Sequence, residues 1–387
     1  MLTPTPAVAR LRLTDFRCYA ALRLEIAPEA GGGPVVLYGP NGAGKTNLLE
    51  ALSFLSPGRG LRRARLADAG RHGADGGWAV SARLLTADGE TDVGTGLERR
   101  EGANGNPVER RAVRIDGANA AGPAALADVL GVQWLTPQMD RLFLEGAGAR
   151  RRFLDRLVFG FDPEHIRRTV AYEKAMRERA RLLKAGGADP AWLSALEAQM
   201  SGHAIAIAAA RRDAVERIER ALAHGIGPFP RATIRVSGSV EDGLDDRPAV
   251  DVEIGFAEAL RQGRPRDAET GGAAEGPHRS DLLVRHAEKD MAAADCSTGE
   301  QKALLIAVLL ANARLESARR GAPPMLLLDE VAAHLDGDRR AALYEEILAL
   351  GGQAWLTGTD RSLFEALAGR ARFFEVRDAE VSDRGVG

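Results

Sequence analysis

Residues 39–46 read Gly-Pro-Asn-Gly-Ala-Gly-Lys-Thr, which is the pattern of a phosphate-binding loop. The loop follows the apolar residues 34–38 and precedes the helical pattern of residues 47–52, the order that the motif requires. Glycines let successive backbone N–H groups turn toward a phosphate, and the N-terminus of the next helix carries a partial positive charge. The segment therefore predicts a nucleoside triphosphate site.

Each position of the loop has an expected role. Lys45 places a positive charge on the β- and γ-phosphates, and Thr46 offers a hydroxyl ligand to Mg²⁺. A glycine-rich turn that carries Lys-Thr by chance is the alternative, but the flanking strand and helix patterns argue against it. The predicted nucleotide-binding residues of this segment are Gly39, Pro40, Asn41, Gly42, Ala43, Gly44, Lys45, Thr46 and Asn47.

Two carboxylates follow the continuous apolar run of residues 324–328. Such a run is typical of a central parallel strand buried on both faces, and ligands bind at the carboxyl ends of such strands. We therefore expect Asp329 to hold the metal shell and Glu330 to orient and deprotonate the attacking water, with Lys45 as the second catalytic residue. Alone, two acids after a strand would as often mark a solvated loop entry, but the phosphate loop favours the site.

Residues 297–302 read Ser-Thr-Gly-Glu-Gln-Lys before an apolar helix predicted over residues 303–313. A hydroxyl at Ser297 and the bare N–H of Gly299 at a helix N-terminus form a second anion site, which one nucleotide in one chain does not need. Two copies meeting about a two-fold axis would account for it, with the γ-phosphate on Lys45 of one copy capped by Ser297 and Gly299 of the other. Ser297 is also expected to cap its own helix.

Composition limits the class of protein. The 387 residues carry 52 basic and 54 acidic side chains, so any contact with a polyanion must be local. The N-terminus has neither a basic start nor an apolar segment, and no stretch approaches a membrane span, so we expect a cytoplasmic protein without a membrane partner. The two cysteines lie far apart and are expected to be free thiols.

Periodicity predicts the elements around these motifs. Residues 8–26 alternate as two strands, and glycine-broken strands at 78–85 and 111–115 indicate a small antiparallel sheet. Residues 163–184 and 191–224 predict two long helices in an antiparallel hairpin, either packed within a domain or projecting as an arm. Beyond them we expect strands at 232–236 and 250–254 and a mobile loop over 261–275.

The motifs together resemble the ABC-type ATPase heads of chromosome-maintenance and double-strand-break repair proteins. More narrowly, the chain resembles the RecF family of bacterial recombination mediators in gap repair, over nearly its whole length. The signature differs from that of many ABC ATPases at Thr298 and Glu300. The segments that carry the narrower resemblance are residues 13–19, 47–51, 58–62, 150–155 and 276–281.

The resemblance implies an α/β fold, an ABC-type ATPase head with a mixed sheet around a P-loop core and a mainly helical second lobe with a short antiparallel helical hairpin. ATPase lobe I would comprise residues 1–132 and 321–387, and lobe II residues 133–320 with the helical arm at about 163–224. The expected cofactors are ATP and Mg²⁺. The resemblance also adds Gln301 to the nucleotide site and a metal-linked glutamine, Gln138, with Gln133 as the alternative.

The resemblance further implies a function in DNA repair, replication and the SOS response. The protein would be a weak, DNA-stimulated ATPase and an ATP-driven homodimer that binds duplex DNA near single-strand/double-strand junctions. With RecR and RecO it would assist the loading of RecA. The head of another chromosome-maintenance protein or a transporter-like ABC ATPase is the alternative. Arginines within residues 59–71, 99–114 and 150–156 could contact phosphates, although each cluster is also compatible with a solvated face.

Overall fold

The computed structural model describes residues 5–26, 32–74, 77–101 and 107–386. None of the described helices is both long enough and apolar enough to cross a membrane. The strands are β1 (Ala7–Phe16), β2 (Tyr19–Glu25), β3 (Pro34–Tyr38), β4 (Ala79–Thr86), β5 (Gly89–Glu101), β6 (Pro107–Ile115), β7 (Ala118–Asn119), β8 (Val132–Leu135), β9 (Ala232–Ser237), β10 (Asp281–His286), β11 (Met291–Ala292), β12 (Met325–Leu328), β13 (Ala354–Gly358), β14 (Arg372–Arg377) and β15 (Glu380–Val386). The helices are α1 (Lys45–Ser53), α2 (Leu126–Val129), α3 (Ala147–Phe161), α4 (Glu164–Ala185), α5 (Pro190–Ala223), α6 (Ser239–Asp246), α7 (Ala249–Gln262), α8 (Arg264–Thr270), α9 (Thr298–Arg320) and α10 (Gly337–Leu350).

The chain divides into two compact units. Unit 1 comprises the described residues up to Asp140, Gly227–Phe229 and the residues from Leu309 onward, and unit 2 comprises Arg141–Ile226 and Pro230–Val308. The sequence placed the first boundary after residue 132, whereas β8 extends beyond it and belongs to the central sheet of unit 1. The second boundary falls within α9 rather than at its end.

The central sheet of unit 1 has the order β15-β14-β3-β13-β12-β8. All its neighbouring pairs are parallel except β14 with β15. The apolar runs predicted to be strands are β3 and β12, and both are confirmed as buried strands. Because parallel strands end at the same edge, the loop after β3 and the acids after β12 share that edge, with β13 between the two strands.

A second sheet of unit 1 is antiparallel, with the order β2-β1-β4-β5-β6-β7. The predicted N-terminal strand pair is confirmed as β1 and β2, and the later strands as β4 and β6. The sequence did not indicate β5, whose glycines, threonines and charged residues leave little apolar alternation. Buried side chains of this sheet, including Leu11 and Phe16, share one apolar core with Leu48 of α1 and Trp355 of β13.

Unit 2 is built on the predicted helical hairpin, which is confirmed as α4 and α5. Asp189 caps α5 by accepting a hydrogen bond from Ala191 N (2.8 Å). The hairpin does not stand free along its length, because Met200 and Ile207 of α5 share a core with Phe256 of α7. The described sheet of unit 2 is small and antiparallel, with the order β11-β10-β9, so the strand predicted at 232–236 is also confirmed.

Two predictions for unit 2 were wrong. Residues 250–254 alternate like a strand but lie in α7, where Val252, Phe256 and Leu260 recur at four-residue steps on the buried face. Residues 261–275 are not a mobile loop, since α7 continues to Gln262 and α8 occupies Arg264–Thr270. The polar composition of α8 suggested a solvent-exposed loop. Asp267 of α8 is instead buried, and it accepts a hydrogen bond from Arg179 of α4 (2.8 Å).

Candidate nucleotide site

Three glycines give the loop between β3 and α1 its shape. Gly39, Gly42 and Gly44 have φ values of 147°, 81° and 113°, in the region that favours glycine. Space is limiting as well: a Cβ on Gly39 would lie 2.1 Å from the carbonyl oxygen of Val376, and one on Gly44 2.6 Å from the hydroxyl of Tyr19. The loop conformation therefore depends on glycine at both positions.

Lys45 begins α1 and is almost fully buried. Its ammonium donates to the carbonyl oxygens of Gly39 (2.7 Å) and Pro40 (2.8 Å), so the charge lies within the loop. Burial lowers the pKa of Lys45, while the negative charges of Glu330 and Asp329 oppose that shift. An ammonium held by two neutral carbonyls can exchange them for phosphate oxygens without losing an ion pair.

Asp329 lies directly after β12 and joins two hydroxyls. Its carboxylate accepts a hydrogen bond from Thr46 Oγ1 (3.0 Å to each oxygen) and from Thr357 Oγ1 (2.7 Å). Burial raises the pKa of Asp329, and the two hydroxyl donors act against it. A hydroxyl and a carboxylate in contact are hard oxygen ligands, so the residues present fit Mg²⁺. Among the described residues there is no group of three or more His, Cys, Asp or Glu side chains that could hold a metal ion.

Glu330 adopts an uncommon backbone conformation. Its φ of 52° is left-handed for a residue with a side chain, and its N–H donates to Thr357 Oγ1 (2.9 Å). The change of backbone direction at Glu330 starts the short helical turn Val331–His334. Such strain is held in place by the surrounding structure and is common at functional sites.

Thr357 was missed by the sequence analysis. It is the last residue but one of β13 and is 1% exposed, and its single hydroxyl contacts both acidic positions. The available signal was the apolar run of residues 354–356, which predicts a further central strand and hence a further carboxyl end at the site.

A polar group borders the loop on the side of the N-terminal hairpin. Asn47 Nδ2 lies 3.0 Å from the sulfur of Cys18, which is an exposed free thiol, and Arg62 donates to Asn47 Oδ1 (2.7 Å). Arg62 and Arg17 also pair with Glu50, a fully buried carboxylate of α1. The rim of the loop is therefore held by α1 itself.

The signature segment at the start of α9 has the predicted cap. Ser297 Oγ accepts from Glu300 N (3.4 Å) while Glu300 Oε2 accepts from Ser297 N (3.0 Å), which is a capping box. Hydrogen bonds from Lys289 and Ser297 lower the pKa of Glu300 to about 2. Ser297 is exposed and a Cβ on Gly299 would meet open space, so the helix tip is accessible. Gln301 instead turns inward, where its amide donates to Cys296 O (2.9 Å).

Sequence comparisons agree with this arrangement. Residues 7–380 match the family described as the RecF/RecN/SMC N-terminal domain. The chain is 53% identical over 376 residues to the DNA replication and repair protein RecF of Mesorhizobium japonicum, covering 97% of each chain. It is 50% identical over 385 residues to RecF of Agrobacterium fabrum, covering 99% of this chain and 100% of the relative. The chain belongs to the RecF family.

Solved structures support the same fold. The recombination mediator protein RecF of the RecFOR pathway, with ATPrS, superposes with a TM-score of 0.84 at 20% identity over 99% of both chains. The Smc head domain of Pyrococcus furiosus gives a TM-score of 0.53 at 17% identity, covering 98% of this chain and 96% of that one. The expected α/β fold of an ABC-type ATPase head is confirmed for this member of the RecF family.

The two candidate glutamines of this RecF-family chain lie in different surroundings. Gln133 of β8 is buried and donates to Glu316 Oε2 (2.7 Å), so its amide is used in the core of unit 1. Gln138 is exposed in the turn Pro137–Arg141, which follows the carboxyl end of β8. Because β8 pairs with β12, this turn leaves the sheet at the same edge as Asp329.

Several arginines of the first two clusters already have partners within the chain. Arg111, within the predicted range 99–114, is buried and donates to Gly58 O (2.5 Å) and Ser56 O (3.1 Å), and burial lowers its pKa to about 10, so this arginine is not exposed for contact with DNA. The side chains of Arg99 and Arg100 lie outside the described residues. In the first cluster, Arg62 pairs with Glu50 and Arg71 with Asp15.

Proposed function

We propose that this chain is an ATP-dependent DNA-binding protein of recombinational gap repair. The observation that carries the proposal is the placement of the phosphate loop and the Thr46–Asp329–Thr357 contacts at one edge of the central sheet. Relatives about half identical over almost the whole chain are DNA replication and repair proteins RecF, which supports the same biological role here.

In this proposal each residue of the site has one task. Backbone N–H groups of the loop, such as those of Gly42 and Gly44, and the ammonium of Lys45 bind the phosphates of ATP. Thr46 and Asp329, with Gln138, would hold Mg²⁺, which neutralises charge on the phosphates when bound. Glu330 orients a water molecule toward the γ-phosphate and accepts its proton, while Thr357 fixes the backbone from which Glu330 projects.

ATP binding closes a homodimer in this proposal. The exposed tip of α9 supplies backbone N–H donors for a phosphate near the open Gly299. The Ser297 hydroxyl, which donates to Glu300 Oε2 in the single chain (2.9 Å), would turn to the phosphate in the dimer. A second copy would place this tip on the γ-phosphate held by Lys45, so each site would be complete only in the dimer. Hydrolysis then removes the shared contact and reopens the dimer.

The closed dimer would bind duplex DNA near single-strand/double-strand junctions in the cytoplasm, and with RecR and RecO it would assist RecA loading. The rival is a chromosome-organising head, which would carry far longer coiled-coil arms than α4 and α5, of 22 and 34 residues. The other rival is the ATPase subunit of a transporter, whose activity would not respond to DNA.

Analytical ultracentrifugation of the chain with and without ATP and a gapped duplex tests the proposal. We expect monomers without nucleotide, dimers with ATP and Mg²⁺, and co-sedimentation with the duplex only in the ATP state. ATP hydrolysis should increase when linear duplex is added. Monomers at saturating ATP, or DNA binding that is the same with and without ATP, would contradict it.

A further inference from the structure

Two arginine-containing segments that are distant in the sequence contact each other in unit 2. Arg150 of α3 pairs with Asp281 through two hydrogen bonds (2.7 and 2.6 Å), and Arg151 donates to Ser280 O (2.6 Å). These residues belong to the segments 150–155 and 276–281, to which the nucleotide site gives no role. The two segments therefore form one structural feature.

A buried arginine, Arg211, links the two segments 150–155 and 276–281. Arg211 of α5 pairs with Asp155 of α3 (2.9 and 3.1 Å) and with Glu241 of α6 (3.1 Å), and it donates to Pro277 O (2.6 Å). Glu241 in turn accepts from Ser280 Oγ (2.7 Å). Asp155 and Glu241 therefore both accept hydrogen bonds within this network.

Hydrogen bonds of His278 also hold the turn between residues 276 and 281. His278 Nδ1 lies 2.8 Å from the Tyr172 hydroxyl, and His278 Nε2 lies 2.9 Å from Ala273 O. Gly276 has a φ of 123°, and a Cβ there would lie 2.5 Å from the same hydroxyl. The direction in which the turn presents its next residue, Arg279, is consequently fixed.

Two arginines at the surface of this feature keep their charge unneutralised. Arg152 and Arg279 are exposed, and within the described ranges neither has a carboxylate within ion-pair distance. The guanidinium of Arg279 has only long contacts of 3.4 Å with Ala273 O. Burial lowers the pKa of His278, and the positive charges of Arg279 and Arg151 lower it further, so the surroundings of this turn are locally positive.

Such an arrangement differs from most of the arginine-rich surface of unit 2. On α4 and α5, exposed arginines such as Arg177 and Arg220 pair with glutamates one helical turn away, Glu173 and Glu216. Exposed guanidinium groups without a carboxylate partner make a surface locally positive, and such a surface attracts anions. Guanidinium groups bind phosphate oxygens through two parallel hydrogen bonds.

We propose that Arg152 and Arg279, positioned by the joined segments 150–155 and 276–281, bind the phosphate backbone of duplex DNA. This inference rests on the proposed DNA-binding function and assigns it a surface, here named the Arg152/Arg279 surface. Both side chains are exposed rather than enclosed, which suits the regularly spaced phosphates of a polymer better than a small anion. Contacts of this kind position the protein without reading base sequence.

The test compares two doubly substituted chains with equal charge changes. Arg152→Glu/Arg279→Glu alters the surface, and Arg177→Glu/Arg220→Glu is the control on α4 and α5 of the same unit. Binding to a fluorescent 30-base-pair duplex is measured with ATP and Mg²⁺ between 50 and 200 mM salt, a range in which phosphate contacts alter affinity strongly, roughly tenfold or more. ATP affinity and thermal unfolding are measured on both variants.

We expect the surface variant to lose about tenfold or more in DNA affinity and to lower the salt slope by roughly two, with ATP affinity and melting unchanged. The control should bind DNA within about twofold of the unaltered chain. Equal losses in the two variants, or DNA binding retained by the surface variant, would overturn the assignment; the latter would point to an acidic protein partner instead. If the unaltered chain itself fails to bind duplex DNA with ATP, the proposed function fails.

Discussion

Thr357 near the end of β13 and Asp329 directly after the neighbouring strand β12 are joined by a hydrogen bond of 2.7 Å. The same hydroxyl accepts the N–H of Glu330 at 2.9 Å. The buried hydroxyl oxygen of Thr357 thus contacts both the carboxylate of Asp329, proposed to hold the metal, and the backbone of Glu330, proposed to direct water. The relative positions of Asp329 and Glu330 therefore depend on the pairing of β12 with β13.

Replacing Thr357 with valine keeps the shape of the side chain and removes this hydroxyl. We expect hydrolysis to fall by about tenfold or more and unfolding free energy to fall by about 1–2 kcal/mol, because a buried carboxylate and a buried N–H lose their partner. Steady-state ATPase assays and urea unfolding measure the two effects. Thr357→Ser is the matched control and should retain most activity; full activity in the valine variant would show that the hydroxyl is dispensable.

Glu330→Gln removes the proton acceptor while keeping the size of the side chain. ATP should bind with unchanged affinity, hydrolysis should drop by roughly 10²- to 10⁴-fold, and ATP-bound dimers should accumulate. Lys45→Ala is the contrasting variant, in which ATP binding and dimers are both lost. Light scattering at saturating ATP provides the measurement, and a monomeric Glu330→Gln chain that still binds ATP would refute the shared site.

The two glutamines near β8 should fail in different ways. Gln138→Ala should slow hydrolysis and leave unfolding unchanged, since Gln138 is exposed in the turn that leaves the sheet at the same edge as Asp329. Gln133→Ala should instead lower the unfolding free energy by about 1–3 kcal/mol, because Glu316 loses its 2.7 Å donor in the core. ATPase rates normalised to the folded fraction separate the two outcomes. The reverse pattern would assign the metal-linked role to Gln133.

Acid should weaken unit 2 through Asp155. Burial opposes ionisation of this carboxyl, but the charge of Arg211 and the hydrogen bonds from His165 and Arg211 lower its pKa from 3.8 to about 2. A lowered pKa stabilises the folded state above pH 4, and this contribution, about 2 kcal/mol, is lost as the pH falls toward 2.

Asp155→Asn tests that contribution directly. Near pH 7 the variant should be less stable than the unaltered chain by about 3 kcal/mol, since Arg211 keeps its charge and loses a partner. The difference should shrink as the pH decreases from 4 to 2. Denaturant unfolding at several pH values gives the comparison, and a difference independent of pH would exclude the proposed ionisation.

The local motifs were the most predictable part of the molecule. The loop at 39–46 and the acids at 329 and 330 could be placed together because buried parallel strands share one ligand-binding edge. Thr357 could not be placed in the same way, since its partners depend on which strand lies between β3 and β12. Strand order is a property of the whole sheet and cannot be inferred from the sequence of one short segment.

Polar residues were the least predictable. Arg111 looks like a surface cation in the sequence, yet it fills a buried position among backbone carbonyls of residues 54–58. Likewise, α8 reads as a loop because its buried carboxylate, Asp267, is explained only by Arg179 of α4. In both cases the hydrogen-bonding partner is distant in the chain. Local composition therefore predicts an exposed side chain, although the folded chain buries it against that partner.

The thiol of Cys18 is accessible beside Asn47, whereas that of Cys296 is buried. A maleimide fluorophore will therefore attach at the rim of the phosphate loop without prior removal of the second cysteine. The unaltered chain thus carries its own labelling position, from which nucleotide arrival and departure can be followed as a change in dye emission.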